Sequence, residues 1–524
     1  MAKKLVVLLL ALLMVLSAFT ACNDSSKPNN ETETESKTET ESSNQGSQSG
    51  SQSGTTTEDD GDDGYVSPID GKSFTGTVLN VLSWKASNIT EYELETTEAS
   101  TIVQKAVFDR CDSAEARLDL KTRWNLIPGT STDTSFLDTA EMENNNGGKY
   151  DMIVNVSNFS HSLASRGLYS NLKKYEGEYF DFSHESWPAS LLKDITLGNK
   201  LFFVTGDIST NLIFMTSVVF FNKNLVKDLG INAKIKAEWE YEDLYELVTE
   251  GKWTLDKMLK LCEEVYKDQN NDGKKNHGDR FGLSTYNTLY DNFYYGGGYT
   301  TILAGEDGFT VSESFMDPIL VGGILSQVNT FFHDTKDGFL ESGHSNTQKS
   351  FAAGNVLFSL APASHAYHTH SNTEDLEYSV LPVPKHSESQ EAYACTQSFP
   401  YSMYGICSQA KNRNAAAAFI QGLAEESHEI TRPALFDKMM KGRYAEDPED
   451  AEMWEYAVDA NVFDIGRVFC EHFGEERTDQ LTVQLFRKKI ADNNNNWVGV
   501  LQSYGGPLAI YANSLADFVL SLPD

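Results

Sequence analysis

The residues best spaced to do chemistry lie between Asp268 and Asp279. Oxygen-bearing side chains fall at loop positions 1, 3, 5, 9 and 12 as Asp268, Asn270, Asp272, Asn276 and Asp279. Gly273 sits at position 6, where the chain must bend sharply, and Lys274 at position 7 can lend its carbonyl oxygen. This is the spacing of a calcium loop, which collects many hard oxygen ligands on one short stretch. Two features depart from the usual pattern. The carboxylate at position 12 is Asp279 and not the bidentate Glu, and the Arg280-Phe281-Gly282-Leu283 stretch that follows has the pattern of a strand instead of a second helix. The expectation is therefore one structural Ca2+, with no sensor function. The alternative is a metal-free Asn/Asp/Gly turn, since Lys274, Lys275 and Arg280 dilute the negative charge.

A second cluster, His365, His368 and His370, places three imidazoles close together after Pro362. It lacks an acidic or Cys partner at ligand spacing, so a polar loop is a better reading than a zinc site. Catalytic signatures are missing: the chain has no HExxH, GxSxG or Walker loop, and Gly296-Gly297-Gly298 has no context that would make it a phosphate-binding turn. A pair of carboxylates for glycoside hydrolysis could be drawn from 76 acidic residues in many ways. Only geometry would select one.

These candidates must be carried by elements that the hydrophobic pattern outlines. Thr77–Trp84 and Tyr150–Val156 alternate or run apolar as strands do, the second passing into the polar loop Ser157-Asn158-Phe159. Leu201–Val204 and Ser217–Phe221 are two further strands. Helical periods run over 101–118, over 253–267 with Thr254 as N-cap, over 415–423, and through most of the tail after Gln480, broken by a turn at 493–496. Alternating strands and amphipathic helices define an α/β protein.

The N-terminus has a separate logic. Lys3-Lys4, the apolar run Leu5–Leu16 and then Phe19-Thr20-Ala21-Cys22 form a secretory signal whose core is too short to span a bilayer. Small residues directly before Cys22 resemble a bacterial lipobox, which makes 1–21 the signal peptide and Cys22 the acylated first residue of an exported lipoprotein. From Asn23 through Gly64 there is no aliphatic or aromatic residue. Such a stretch cannot bury enough surface to order itself, and reads as an acidic leash over 22–72 with a mean reach of about 35 Å. The protein would then sit on the outer face of the cell membrane, lipid-anchored.

The net charge of −34 argues against nucleic acid and against lying flat on anionic lipid. The six cysteines include no CxxC pair. Cys262 shares an apolar helical face with Met258, Leu259 and Val265, so it reads as a small buried hydrophobe. Whether Cys395 and Cys407 pair is left open.

Eight segments, in order, carry a family likeness: YDMIV (150–154), LYSNLK (168–173), NKLFFVTG (199–206), VFFNKNL (219–225), GKWTLD (251–256), FAAGNVLF (351–358), YSVLPVP (378–384) and KNRNAAAAFI (411–420). Together they resemble the extracellular solute-binding proteins of ABC importers, family 1, the maltose-binding type. The resemblance implies a two-lobed periplasmic-binding-protein-like fold of type II with ligand held in the interlobe cleft. It places the first crossing near 205–216 and the return near 381–396, with lobe 1 as 73–205 plus 385–430 and lobe 2 as 206–384 plus 431–524. It implies a monomer that captures a carbohydrate, in the first instance an oligosaccharide, and passes it to ABC permease membrane subunits. An exported glycan-active enzyme and a transporter-independent glycan-binding surface protein are the alternatives.

Sugar recognition needs flat apolar faces for the ring C–H surface and planar polar groups for hydroxyls. Candidates at strand ends and crossings are Trp84, Lys85, Asn158, Phe159, Asp207, Tyr294, Tyr295, Phe399 and Tyr401, with Tyr299 and Trp497 as further aromatics in the same reading.

Overall fold

The computed structural model describes residues 65–85, 101–129, 135–305, 308–368, 373–468 and 482–522. The signal segment, Cys22, the leash up to Gly64, His370 and Cys470 lie outside the described residues.

Eleven strands are present among the described residues: β1 Val78–Lys85, β2 Lys121–Pro128, β3 Met152–Val156, β4 Ser217–Asn222, β5 Phe281–Tyr286, β6 Ile302–Ala304, β7 Phe309–Val311, β8 Gly338–Glu341, β9 Val356–Pro362, β10 Tyr378–Leu381 and β11 Ser402–Ile406. They form one sheet in the order β11-β3-β1-β2, a second in the order β10-β4-β9-β5-β8, and the small hairpin β6-β7. In the first sheet β1, β2 and β3 are parallel and β11 runs against them. In the second, β5, β8 and β9 are parallel, while β4 and β10 are each antiparallel to their neighbour. Each sheet gathers its own apolar cluster, one around Val154, Phe419 and Leu515 and one around Phe220, Leu283 and Trp454. The architecture is two α/β lobes, as the resemblance implied.

Local sequence explains most of the first lobe. The helix Ile102–Leu118 starts on a capping box in which Thr101 accepts from the Gln104 amide and Gln104 reaches back, and it ends at Asp119 in the left-handed region. Val103, Ala106, Val107, Ala114 and Leu118 are buried on its inner face, returning the chain to β2 as a parallel crossover requires. No hydrophobic period marks β2, an edge strand whose residues largely alternate between exposed and half-buried. Its polar Lys121-Thr122-Arg123 start hides the apolar face.

Three expected elements differ from the structure. Ser157–Ser165 is a helix and not a polar loop, and from Ser157 to Ala164 every residue is buried. Small polar residues prefer caps and turns in water; here Ser160 returns its hydroxyl to the Val156 carbonyl, and tertiary burial overrides the local preference. Residues 201–204 do not form a strand. The Leu201 carbonyl and amide bond to the Leu172 amide and the Asn171 side chain, and only Val204 forms a bridge, to Tyr404. The helix expected over 253–267 is confined to Leu255–Leu261, because Glu264 adopts positive φ and Lys267 turns to pair with Arg280.

Two segments connect the lobes side by side. Val204 bridges Tyr404 and Thr216 bridges Gln397, while the Ser398 amide donates to the Met215 carbonyl and the Asn211 side chain to the Pro400 carbonyl. The return therefore runs through 395–404, later in the chain than the 381–396 span suggested by sequence, and Lys385 still bridges Thr254 beside the second sheet. A third segment joins them: Cys395 and Asn461 form a bridge, and the Asn461 amide group donates to Thr216 Oγ1 and accepts from Gln397. The C-terminal helix Trp497–Ser521 buries Trp497, Val500 and Leu508 in the second cluster, and Tyr511, Leu515 and Val519 in the first.

Candidate functional site

Strand register locates the candidate cleft. β3 ends at Val156 opposite Ser402, the first residue of β11, and β11 begins where the return segment ends. β9 ends at Pro362 opposite Ser217, the first residue of β4, and β4 begins where the outward segment ends. The C-terminal ends of the parallel strands in both sheets thus abut the crossing segments, which is where open α/β sheets place their ligands.

At the first sheet, this end carries Trp84, Lys85, Asn158, Phe159 and Tyr401. The Trp84 indole is 1% exposed and donates from Nε1 to Ser402 Oγ at 2.8 Å. Asn158, Phe159 and Tyr401 are also buried, and Lys85 is exposed. The Ser157 amide donates to the Tyr401 carbonyl, fixing the start of the Ser157–Ser165 helix beside the return segment. Phe399 lies parallel to Tyr401, ring centres 6.2 Å apart. The structure thus brings Trp84, Lys85, Asn158, Phe159, Phe399 and Tyr401 together at one sheet end.

The remaining candidates sit elsewhere. Tyr294 is lodged among Tyr299, Phe315 and Phe486, its hydroxyl donating to the Thr300 carbonyl at 2.8 Å. Tyr295 is fully buried beside it, and burial pushes its phenol pKa well up. Trp497 packs on Phe315 in the second core and donates to the Phe315 carbonyl. Asp207 is at the crossing, but its carboxylate is engaged: His428 Nδ1 lies 2.6 Å from Oδ2 and Arg432 Nη1 3.1 Å from Oδ1. That hydrogen bond holds the His428 pKa above the ordinary imidazole value.

On the second-lobe side the structure adds residues that no sequence pattern marked. Tyr286, the last residue of β5, lies 3.4 Å from Ser398 through their hydroxyls. Asn292 donates to Ser217 Oγ at 3.0 Å and accepts the Thr396 amide at 2.9 Å, tying the loop after β5 to both crossings. Asp291, fully buried, accepts Arg487 Nε at 2.6 Å on Oδ1, and on Oδ2 both Arg487 Nη2 and Arg467 Nε, the latter at 3.0 Å. The Arg467 guanidinium lies over the Phe399 ring, 4.5 Å from its centre. Charged residues are seldom buried, and Arg467 and Arg487 lie in the tail, beyond the segments that carry the family likeness. Sequence gave no signal for them.

His365 is buried with His344 edge-on at 4.4 Å. Burial, and next the neighbouring His368, press the His344 pKa down to about 4, so that ring is neutral at physiological pH. Among the described residues no trio of His, Cys, Asp or Glu is arranged to hold a metal, and Cys111, Cys262, Cys395 and Cys407 are free thiols.

In the 268–279 loop the side chains fold inward on their own backbone. Asp268 Oδ2 accepts the Gly273 amide, Asp272 Oδ1 the Lys274 amide, and Asn276 donates to Asp272 Oδ2. Asp279 is fully buried and accepts from Tyr266, Gln269 and Asn276. Asn271 and Gly273 both take positive φ, and Asp268 Oδ1 is buried without a hydrogen-bond partner among the described residues. An oxygen left without a donor fits a cation, while the side-chain amide donors of Asn270 and Asn276, turned towards Asp272, compete with one.

Neither a protein-family model nor a curated protein sequence matches the chain. Several solved structures are similar to it, two of the following three bearing the name of ABC-transporter binding proteins. One is the galacto-N-biose/lacto-N-biose I-binding protein of Bifidobacterium longum, at TM-score 0.49 and 12% identity, the match covering 83% of this chain and 98% of that one. Another is the GacH receptor of Streptomyces glaucescens, solved unliganded and with acarbose, at 0.48 and 15%, covering 86% and 99%. A third is a solute-binding protein of Agrobacterium radiobacter in complex with ribitol, at 0.46 and 10%, covering 85% and 100%.

Proposed function

We propose that this protein is a non-enzymatic, surface-anchored solute-binding lipoprotein that captures a carbohydrate, in the first instance an oligosaccharide, and delivers it to ABC permease subunits. The observation that carries the reading is the position of both sheets' C-terminal ends against adjacent crossing segments, with aromatic rings and planar polar groups gathered there. Two lobes on such a connection can hinge, and ligand bound between them shifts an open–closed equilibrium towards the form a permease would recognise. Cys22 supplies the lipid anchor, the acidic segment after it supplies the leash, and the protein acts as a monomer on the outer face of the membrane. The 268–279 loop holds one structural Ca2+.

Isothermal calorimetry of the purified protein against a glycan panel, with peptides, amino acids and metal ions alongside, tests the substrate class. Heat from at least one glycan without turnover is the expected result. Binding confined to peptides, or steady release of reducing ends from a glycan, would overturn the reading. Mass spectrometry of the membrane-extracted protein should find a diacyl or triacyl Cys22 at the mature N-terminus.

A further inference from the structure

The buried cluster at Asp291 is unbalanced in its hydrogen bonding. Arg487 takes the Asp291 carboxylate from two nitrogens, and Arg467 adds its Nε. Asp291, Arg467 and Arg487 are 0%, 3% and 7% exposed, so two guanidinium groups share one carboxylate away from water. A second buried carboxylate, Asp464, is committed elsewhere: it accepts the Thr301 hydroxyl, the Thr301 amide and the Gly466 amide. Its pKa is raised by burial, which weakens it further as a counter-charge. Arg467 Nη2 is consequently buried with no acceptor among the described residues. A buried charged donor left without an acceptor is costly, and it calls for one.

Position says what could arrive. Arg467 belongs to the short helix Ile465–Val468, which packs against the Ser157–Ser165 helix of the first lobe. Its guanidinium covers Phe399 on the return segment, and its Asp291 partner follows the end of β5 in the second lobe. The donor therefore lies where both sheet ends meet the crossings. The Ser157–Ser165 helix presents its N-terminus to the same region, and Ser157 Oγ, on a residue 1% exposed, is a second buried polar atom without a partner among the described residues. A helix N-terminus favours negative charge, and the Arg467 Nη2 donor can make a charge-assisted bond to a carboxylate or sulfate. The overall charge of −34 opposes an anionic ligand at long range. That opposition is screened within about 8 Å at physiological ionic strength, whereas a buried contact is not.

We propose that the captured glycan is acidic, and that Arg467, with Phe399 beneath it and Ser157 nearby, receives a carboxylate or sulfate group of the sugar. This inference rests on the carbohydrate-binding reading above. The test uses calorimetry on the full chain with acidic disaccharides from hyaluronan (carboxylate) and from chondroitin sulfate (sulfate), each beside its carboxyl-reduced or desulfated counterpart. Free glucuronate and inorganic sulfate serve as the non-glycan arms. The acidic member of one pair should bind at least about tenfold tighter than its neutral counterpart, as a charge-assisted buried bond implies. Arg467→Gln should remove that preference, and Arg467→Lys should keep part of it. Arg487 still neutralises Asp291 in both variants, so both should fold, and a thermal melt verifies this. If only neutral glycans bind, or Arg467→Gln keeps the preference, the acidic-ligand inference falls and the carbohydrate reading stands. If no glycan of either kind binds, the carbohydrate reading falls and takes this inference with it. Tight binding of inorganic sulfate alone would mark an anion site unrelated to sugar and overturn the proposal.

Discussion

Replacing Trp84 separates two roles that a tryptophan at a strand end can play. The side chain is 1% exposed, its Nε1 bonds Ser402 Oγ at 2.8 Å, and Gly129 approaches so closely that a Cβ there would lie 3.2 Å from Trp84 Cβ. A ring held this way contributes to the first lobe's core, and its removal leaves a cavity and an unpaired buried hydroxyl. Trp→Ala in such settings costs about 3–5 kcal/mol, and a buried hydrogen-bond partner left alone adds about 1–3 kcal/mol unless Ser402 rotates to another acceptor. With a urea slope near the upper end for domains, about 3 kcal/mol per molar, the midpoint should fall by about 1–3 M. Trp84→Phe keeps most of the apolar volume and loses only the donor, so a fall of about a third of that is expected. Ser402→Ala alone and combined with Trp84→Phe completes a double-mutant cycle, and the coupling should be about 1 kcal/mol. Denaturation and glycan calorimetry on one sample give both readouts. A midpoint within about 0.3 M of wild type together with lost glycan affinity would refute the core assignment and make the indole a sugar platform.

Calcium at millimolar concentration should raise the melting temperature, and chelator should lower it, by mass action on the native 268–279 loop; Asp272→Ala should abolish the difference, and coincident melting curves with and without calcium would mean that the loop is only a turn. The Asp207–His428 bond should make stability depend on pH. Because the folded His428 pKa is raised by Asp207, its contribution is complete below the ordinary imidazole value of about 6.5 and is lost as pH rises through the raised folded value. Unfolding midpoints of the wild type should therefore decline as pH rises above about 6.5, and Asp207→Asn should flatten that decline; an identical slope in the variant would show that the bond does not carry it.

The chain's own periodicity determined the elements whose two faces differ in polarity. Thr77–Trp84, Ser217–Phe221, 101–118 and 415–423 all read correctly to within a few residues, because each buries one face or is buried whole. The order of eight weak segments likewise pointed to two lobes, since order survives where individual residues drift. Sequence could not yield β2, whose edge position leaves its polar residues solvated, or the Ser157–Ser165 helix, whose composition favours a loop until the surrounding lobe dries it. The site divides in the same way. That Trp84, Lys85, Asn158 and Phe159 stand at strand ends was legible because strand ends can be read from local pattern, whereas the burial of Trp84 in the first lobe's core was not. For Tyr294 and Asp207 nothing local reveals the aromatic core around the one or the His428 and Arg432 partners of the other. Asp291, Arg467 and Arg487 were invisible. They are separated by 176 and 196 residues along the chain, and a charge becomes informative only once folding removes water from around it, which tertiary contacts alone decide.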